Sequence, residues 1–239
     1  MSFAQLFGSA TQTTESNTMS EKPEITNDLI ENPSPRCAVT LVLDISGSMS
    51  GTPIQLLNEG VRLFVDEVKR DDLARWSVEL AIYTFGSTVT QVMDFTGVDA
   101  LENTPSFSAG GLTPMGQAVE MALRALDERK RQYRNVGVPY YQPWLVLLSD
   151  GAPTDNWTNA AQKARDLAAN RKLVSLPIGV GDADLDILSQ FSNKPAVRLD
   201  GLKFRELFQW LSASMTRVSA SASSASQVTL PPMDSWAAI

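Results

Sequence analysis

Histidine is absent from all 239 residues, and cysteine occurs once. The first absence removes imidazole as a general base, a nucleophile activator or a metal ligand. The second rules out an internal disulfide, because Cys37 has no partner, and makes a reducing compartment the expectation. No run approaches the roughly 20 apolar residues of a membrane-spanning helix. The amino-terminus lacks a basic stretch followed by an apolar run and a cleavage site, so it does not read as a signal peptide. Together these features lead us to expect a cytoplasmic protein. Basic residues are also in deficit: 20 Lys and Arg face 27 Asp and Glu, for a net charge of -7. That balance argues against a nucleic-acid backbone or an anionic membrane as the main partner.

What is present suits one globular α/β domain with tails, since 43% of residues are hydrophobic and 8% aromatic. Residues 1–34 are rich in Ser, Thr, Asn and Glu without an apolar period, and read as a flexible arm. Met19 offers an alternative start that would make residues 1–18 an extension. Residues 35–218 form the expected domain. Residues 219–239 form a Ser/Ala linker followed by a tail with Pro231, Pro232 and Trp236. We read Trp236 as either a docking anchor for a partner or a side chain tucked onto this protein's own surface.

Within the domain, Ala38–Leu43 and Trp144–Leu148 are short continuous apolar runs, as expected for strands buried on both faces. Trp76–Phe85 and Thr88–Phe95 alternate around Gly86-Ser87 and suggest an antiparallel hairpin at a sheet edge. Helical spacing begins at Pro53, with Ile54, Leu57, Val61, Phe64, Val65 and Val68, and again after Pro114. Thr158 reads as the N-cap of a third helix, and Phe204–Val218 as a closing one. Strands alternating with helices predict a doubly wound, mostly parallel sheet with one antiparallel edge strand and helices on both faces. Ligands of such sheets bind at strand carboxyl ends, beside the reversal of strand order. Asp44 and Asp150 both fall at strand carboxyl ends.

Asp44, Ser46 and Ser48 alternate along a loop that directly follows a strand, so their side chains can converge. Gly110-Gly111-Leu112-Thr113-Pro114 and Ser149-Asp150-Gly151 are the other two segments of the constellation. Carboxylate and hydroxyl oxygens are hard ligands that suit Mg²⁺, or else Mn²⁺ or Ca²⁺, and suit zinc poorly. The competing reading is that Asp44 and the serines only cap the helix at Pro53 while Asp150 sits in a turn. Asp155 and Trp157 are rim candidates, or parts of an Asx-turn leading to Thr158. Tyr140 and Tyr141 are open between interface and packing. The charge run Asp127–Arg131 reads as a solvated face, and Gly179-Val180-Gly181 lacks the remaining residues of a phosphate-binding loop.

Asp44-Ile45-Ser46-Gly47-Ser48, Thr113 and Asp150-Gly151 resemble the metal-ion-dependent adhesion site of von Willebrand factor A domains, over about Ala38 to Val218. The resemblance implies that Ser46, Ser48 and Thr113 supply hydroxyl ligands, that Asp44 and Asp150 bind directly or through water, and that a partner's acidic side chain completes the shell. Leu43–Ile54, Asp150–Trp157, Glu31–Cys37, Phe204–Leu211 and the Pro-then-Trp tail look like bacterial stand-alone A-domain proteins of the TerY type, associated with tellurite resistance and stress operons. That narrower resemblance implies a signalling partner such as a protein kinase or a metal-dependent protein phosphatase. The expected function is a non-enzymatic, metal-dependent protein–protein interaction module. Two alternatives stand beside it: a magnesium-dependent phosphatase of the haloacid dehalogenase type, and a structural subunit of an assembly. The phosphatase class needs a second aspartate two residues after the first, where this chain has Ser46.

Overall fold

The structure, a computed structural model, describes residues 29, 32, 34–221 and 228–238. Its strands are β1 (Cys37–Asp44), β2 (Val78–Phe85), β3 (Val89–Gly97), β4 (Trp144–Ser149), β5 (Val174–Gly179), β6 (Val197–Leu199) and β7 (Ala237–Ala238). They form one sheet in the order β3-β2-β1-β4-β5-β6-β7. Every residue of β1, β2 and β4 is buried, the result that continuous apolar runs produce when helices cover both faces. The strands from β2 across to β6 run parallel, and β3 returns antiparallel to β2, as the hairpin pattern predicts. The opposite edge carries an addition: the two-residue β7, contributed by the tail, lies antiparallel to β6.

The helices are α1 (Thr52–Arg70), α2 (Ala74–Ser77), α3 (Met115–Val136), α4 (Thr158–Ala169), α5 (Leu185–Ser189) and α6 (Phe204–Ser219). Alternation along β1 divides the interior. Leu41 and Leu43 join Leu57, Phe64, Phe208, Leu211 and Met215 of α1 and α6 on one face. Val42 joins Ala118, Val119, Ala122, Ala161 and Ala164 of α3 and α4 on the other. Gly60 brings α1 and α6 together, because a Cβ there would lie 2.3 Å from the Phe208 ring.

Four local expectations need correction. Trp76, placed by its pattern at the start of a strand, lies in the short helix α2 and is 42% exposed. Thr158 does begin α4 but makes no cap; its hydroxyl donates to Asn156 Oδ1 instead. Packing starts before residue 35, since Leu29 is buried against the α3 side of the core and Asn32 Nδ2 donates to the Trp76 carbonyl. The remainder of the expected arm and residues 222–227 of the linker lie outside the described residues.

The fourth correction concerns the charge run at the end of α3. Arg129 is buried, because three residues beyond Leu126 it falls on the helix's inner stripe. Its Nε donates to Glu79 Oε2 at 2.7 Å, and Tyr133 donates to the same oxygen at 2.5 Å. Arg36 Nε lies 3.4 Å from Glu79 Oε1 and its guanidinium also donates to the Trp76 carbonyl. Burial and then the Glu79 charge push the Tyr133 hydroxyl well above its usual range, so it stays protonated as a donor.

Cys37 is fully buried, and burial followed by the Glu79 charge pushes its thiol up to about 12. We expect this thiol to resist labelling by a thiol-specific reagent in the native protein and to react stoichiometrically in urea. Full labelling within minutes under native conditions would show that the β1 end opens.

Candidate metal centre

β1 and β4 are neighbours, yet β1 is joined in sequence to β2 on its other side, so the strand order reverses between them. Asp44 ends β1, and Asp150 follows β4 directly. The chain after Asp44 turns at once, with Ile45 N donating to Phe85 O at the end of β2. Met49, fully buried, pins the following one-turn helix Gly47–Met49 into the core. Ser46 and Ser48 are thereby aimed at the gap between the two strand ends.

Four of the predicted residues form one connected group. Ser46 Oγ lies 3.0 Å from Ser48 Oγ, and Ser48 Oγ donates to Asp150 Oδ1 at 2.8 Å. Asp44 Oδ1 accepts from Ser46 N at 2.8 Å. Thr113 is not in this chain of bonds. It stands beside the Asp150-Gly151 turn, where a Cβ on Gly151 would lie 3.6 Å from Thr113 Oγ1. Its backbone is held by Thr154, whose hydroxyl accepts from Thr113 N and whose N–H donates to Thr113 O. Among the described residues nothing hydrogen-bonds the Thr113 hydroxyl. Exposure rises outward across the group: Asp44 is fully buried, Ser46 and Thr113 nearly so, Asp150 half-buried and Ser48 exposed.

Two further residues shape the site and were not singled out for these roles by the sequence. Ser149 donates to Asp44 Oδ2 at 2.5 Å, so both Asp44 oxygens are engaged and the carboxylate is fixed in place. Asp155 does not form the Asx-turn. Its Oδ1 and Oδ2 accept from Gly116 N and Gln117 N, capping the first turn of α3 from outside that helix. This bond pair ties the loop carrying Asp150 to the loop carrying Thr113. An acidic residue shortly after a strand-end Ser-Asp-Gly is the only trace of that tie in the sequence.

The third loop is attached as tightly. Gly110 N donates to Ile45 O and Gly47 N to Gly111 O. Gly111 has φ +87°, and a Cβ there would fall 2.1 Å from Ser87 N. We expect Gly111→Ala to cost roughly 1–3 kcal/mol, from strain and forced displacement of the loop. Chemical denaturation checks this, and a loss below about 0.5 kcal/mol would show that the loop is free to move aside.

Electrostatics follow from the burial gradient. Burial raises the Asp44 carboxyl above its usual range, hydrogen bonds from Ser149 and Ser46 partly offset this, and the Asp150 charge raises it further. Among the described residues there is no group of three or more His, Cys, Asp or Glu side chains placed to hold a metal. A cation held here would draw on neutral oxygens as well as carboxylates, and the hydroxyls of Ser46, Ser48 and Thr113 are the side-chain ones at hand. The donor set fits a hard divalent cation on that ground. A cation would also relieve two like charges, one of them buried, and engage the hydroxyl of the nearly buried Thr113, which has no partner among the described residues.

A family model described as the von Willebrand factor type A domain matches residues 38–207. The chain belongs to this family. Members are metal-dependent protein-interaction modules. The chain is 28% identical over 175 residues to inter-alpha-trypsin inhibitor heavy chain H2 of Mus musculus, with 65% of this chain aligned. It spans only 17% of that relative's length. Among solved structures, the A-domain fold is shared with pilus adhesin SpaC of Lactobacillus rhamnosus GG (TM-score 0.60, 14% identity, 77% of this chain and 30% of that one). It is also shared with proximal thread matrix protein 1 of the mussel byssus, described with a zinc-occupied MIDAS motif (TM-score 0.52, 15% identity, 76% and 48%). At such identities the likeness concerns the fold of this A domain. Among the described residues, none of its helices is long and apolar enough to cross a membrane.

Proposed function

We propose that this A domain is a non-enzymatic interaction module that binds an acidic residue of a protein partner through one divalent cation. Asp44, Ser46, Ser48, Thr113 and Asp150 would hold that cation, with Mg²⁺ the first choice on ligand hardness. The observation that carries the reading is the bonded Ser46–Ser48–Asp150 group at the reversal of strand order, with Asp44 behind it and Ser48 open to solvent. When bound, the cation supplies an electrophilic centre for a carboxylate oxygen. The chain's own contribution is orientation. Ser149 and Ser46 N–H fix the Asp44 carboxylate, and Asp155 holds the Thr113 loop against the Asp150 loop. Hydroxyls add no charge, so two carboxylates only just balance a divalent ion and leave it attractive to a further carboxylate.

The resemblance to TerY-type proteins supports a setting in bacterial stress response or phosphorylation signalling, with a protein kinase or a metal-dependent phosphatase as the kind of partner. The haloacid-dehalogenase alternative still lacks its general acid, because Ser46 occupies that position and is hydrogen-bonded to Ser48.

The test is capture of partners on immobilised protein in Mg²⁺ and in chelator, comparing wild type with Ser46→Ala/Ser48→Ala. We expect capture that chelator abolishes and that the double variant reduces at least roughly tenfold. Equal capture in all arms overturns the metal bridge, and magnesium-dependent phosphatase turnover lost on Asp44→Asn overturns the non-enzymatic assignment. Adding Zn²⁺ and Mn²⁺ arms ranks the metals.

A further inference from the structure

The tail lies on its own domain as a ligand lies on a receptor, with one tight turn in which Trp236 N and Ala237 N both donate to Met233 O. Trp236 is fully buried and packs against Trp210, with ring centroids 5.4 Å apart, and Trp210 in turn faces Trp144 at 6.4 Å. Backbone bonds complete the contact. Asp200 N donates to Trp236 O at 2.8 Å, and Ala237 and Ala238 pair with Leu199 and Arg198 on the free edge of β6. The nearly buried Trp210 donates its indole N–H to Pro231 O at 2.9 Å, and Arg217 donates to Thr229 O at 3.0 Å. These are the elements of strand addition with an aromatic anchor: main-chain bonds along a sheet edge and one pocket for one large side chain.

Trp236 and Ala237 belong to the core that α1 and α6 share with the sheet, and Val228, Leu230 and Met233 pack against it, but three features set this segment apart from the other core elements. Only Trp236 and Ala237 are buried, and the rest of Val228–Ala238 is half-buried or exposed. The strand pairing is two residues long. Among the described residues the buried Trp236 indole N–H has no hydrogen-bond partner, an imperfection that core positions rarely carry. The stretch before it is the Ser/Ala repeat, whose composition suits a tether.

We infer that the cleft between the β6 edge and α6 is a peptide-binding site, and that its occupant is the chain's own C-terminal segment acting as a detachable ligand. The recognised chemistry is a prolyl carbonyl for the Trp210 indole, a tryptophan for the pocket, and two small residues that continue as an edge strand. Tethering sets an effective concentration of order millimolar, so a free peptide at micromolar concentration does not compete with the intact chain. A partner carrying such a segment has to displace the tail. This site is separate from the metal centre and does not depend on that reading.

The test cuts the tether without removing anything. A protease recognition sequence replaces residues 222–227 in the full-length protein, which is then cleaved. We expect the severed tail to co-elute with the domain and to exchange with an excess of labelled Val228–Ile239 peptide, detected by fluorescence anisotropy. The Trp236→Ala peptide should exchange at least about tenfold less well. Trp210→Phe, which keeps the packing and removes the indole donor, should weaken exchange roughly fivefold. A severed tail that departs and does not rebind overturns the proposal. So does one that never exchanges with excess peptide, which would make it part of the core. Equal exchange by the Trp236→Ala peptide overturns it as well.

Discussion

Glu79→Ala is expected to destabilise the domain by about 3–5 kcal/mol, enough to lower the melting temperature by roughly 10 °C or more. Glu79 is fully buried at the start of β2 and is the shared acceptor for Arg129 and Tyr133, with Arg36 on its other oxygen. Alanine removes the carboxylate that the two nearly buried guanidinium groups share and leaves a cavity in its place. The cost comes from the loss of that shared counter-charge and its hydrogen bonds together with the lost packing. Glu79→Gln keeps the shape and an acceptor oxygen, so its loss should be smaller. Tyr133→Phe removes one bond to a charged acceptor and should cost about 1.5–3 kcal/mol. Urea denaturation of the three variants gives the ranking. A Glu79→Ala loss under about 1 kcal/mol would mean that solvent reaches the cluster and screens it.

Asp44→Asn is expected to move two measurements in opposite directions. Burial, and then the neighbouring Asp150 charge, hold the Asp44 carboxyl above its ordinary value of 3.8. A carboxyl with a raised folded-state pKa binds protons more readily when folded. Its contribution to stability therefore falls as pH rises from 3.8 through the raised value, and at neutral pH its charge is a net cost. Asparagine preserves the bond from Ser46 N, and the Ser149 hydroxyl can turn to accept, so the metal-free variant should be at least as stable as wild type at pH 7. That advantage should vanish below pH 3.8, where the wild-type carboxyl is protonated in both states. Divalent cation should do the reverse. Wild type should gain about 2.7 kcal/mol at a hundredfold excess over Kd. Asp44→Asn, missing one of the two charges, should gain little. Thermal melts in chelator and across a Mg²⁺ titration measure both effects, and equal metal-induced shifts in the two proteins would remove Asp44 from the proposed ligand set.

The parts of this molecule that were legible in its sequence share one property: each is encoded within a short segment. β1 and β4 show as continuous apolar runs because a strand covered on both faces needs apolar residues at every position. α1 shows through Pro53 and its apolar spacing, and the hairpin through alternation around Gly86-Ser87. Asp44, Ser46 and Ser48 stand out for a related reason, since a strand end followed by alternating oxygen donors is a local pattern. Thr113 and Asp150 could be joined to them only because Gly-Gly-Leu-Thr-Pro and Ser-Asp-Gly also follow a recognisable form.

Charge runs and aromatic tails carry no such information. Asp127–Arg131 looks the same whether or not one arginine turns inward; Arg129 does so because Glu79, 50 residues earlier, is buried opposite its stripe. Ser149 and Asp155 were equally hidden, since their partners Asp44, Gly116 and Gln117 lie 105, 39 and 38 residues away. Trp236 was open between two fates because its pocket is made by Trp210 and the edge of β6, neither of which marks itself as a receptor.

By itself, then, the sequence determined the doubly wound sheet, the strand ends that carry Asp44 and Asp150, and the oxygen-only chemistry of the candidate centre. Periodicity and local turn chemistry suffice for these. Only the tertiary structure decided that Ser46, Ser48 and Asp150 bond into one group, that Glu79 organises a buried charge cluster, and that the tail returns to its own domain. Each of those depends on distances between residues far apart in the chain, which are set by how the sheet brings its strands and helices together.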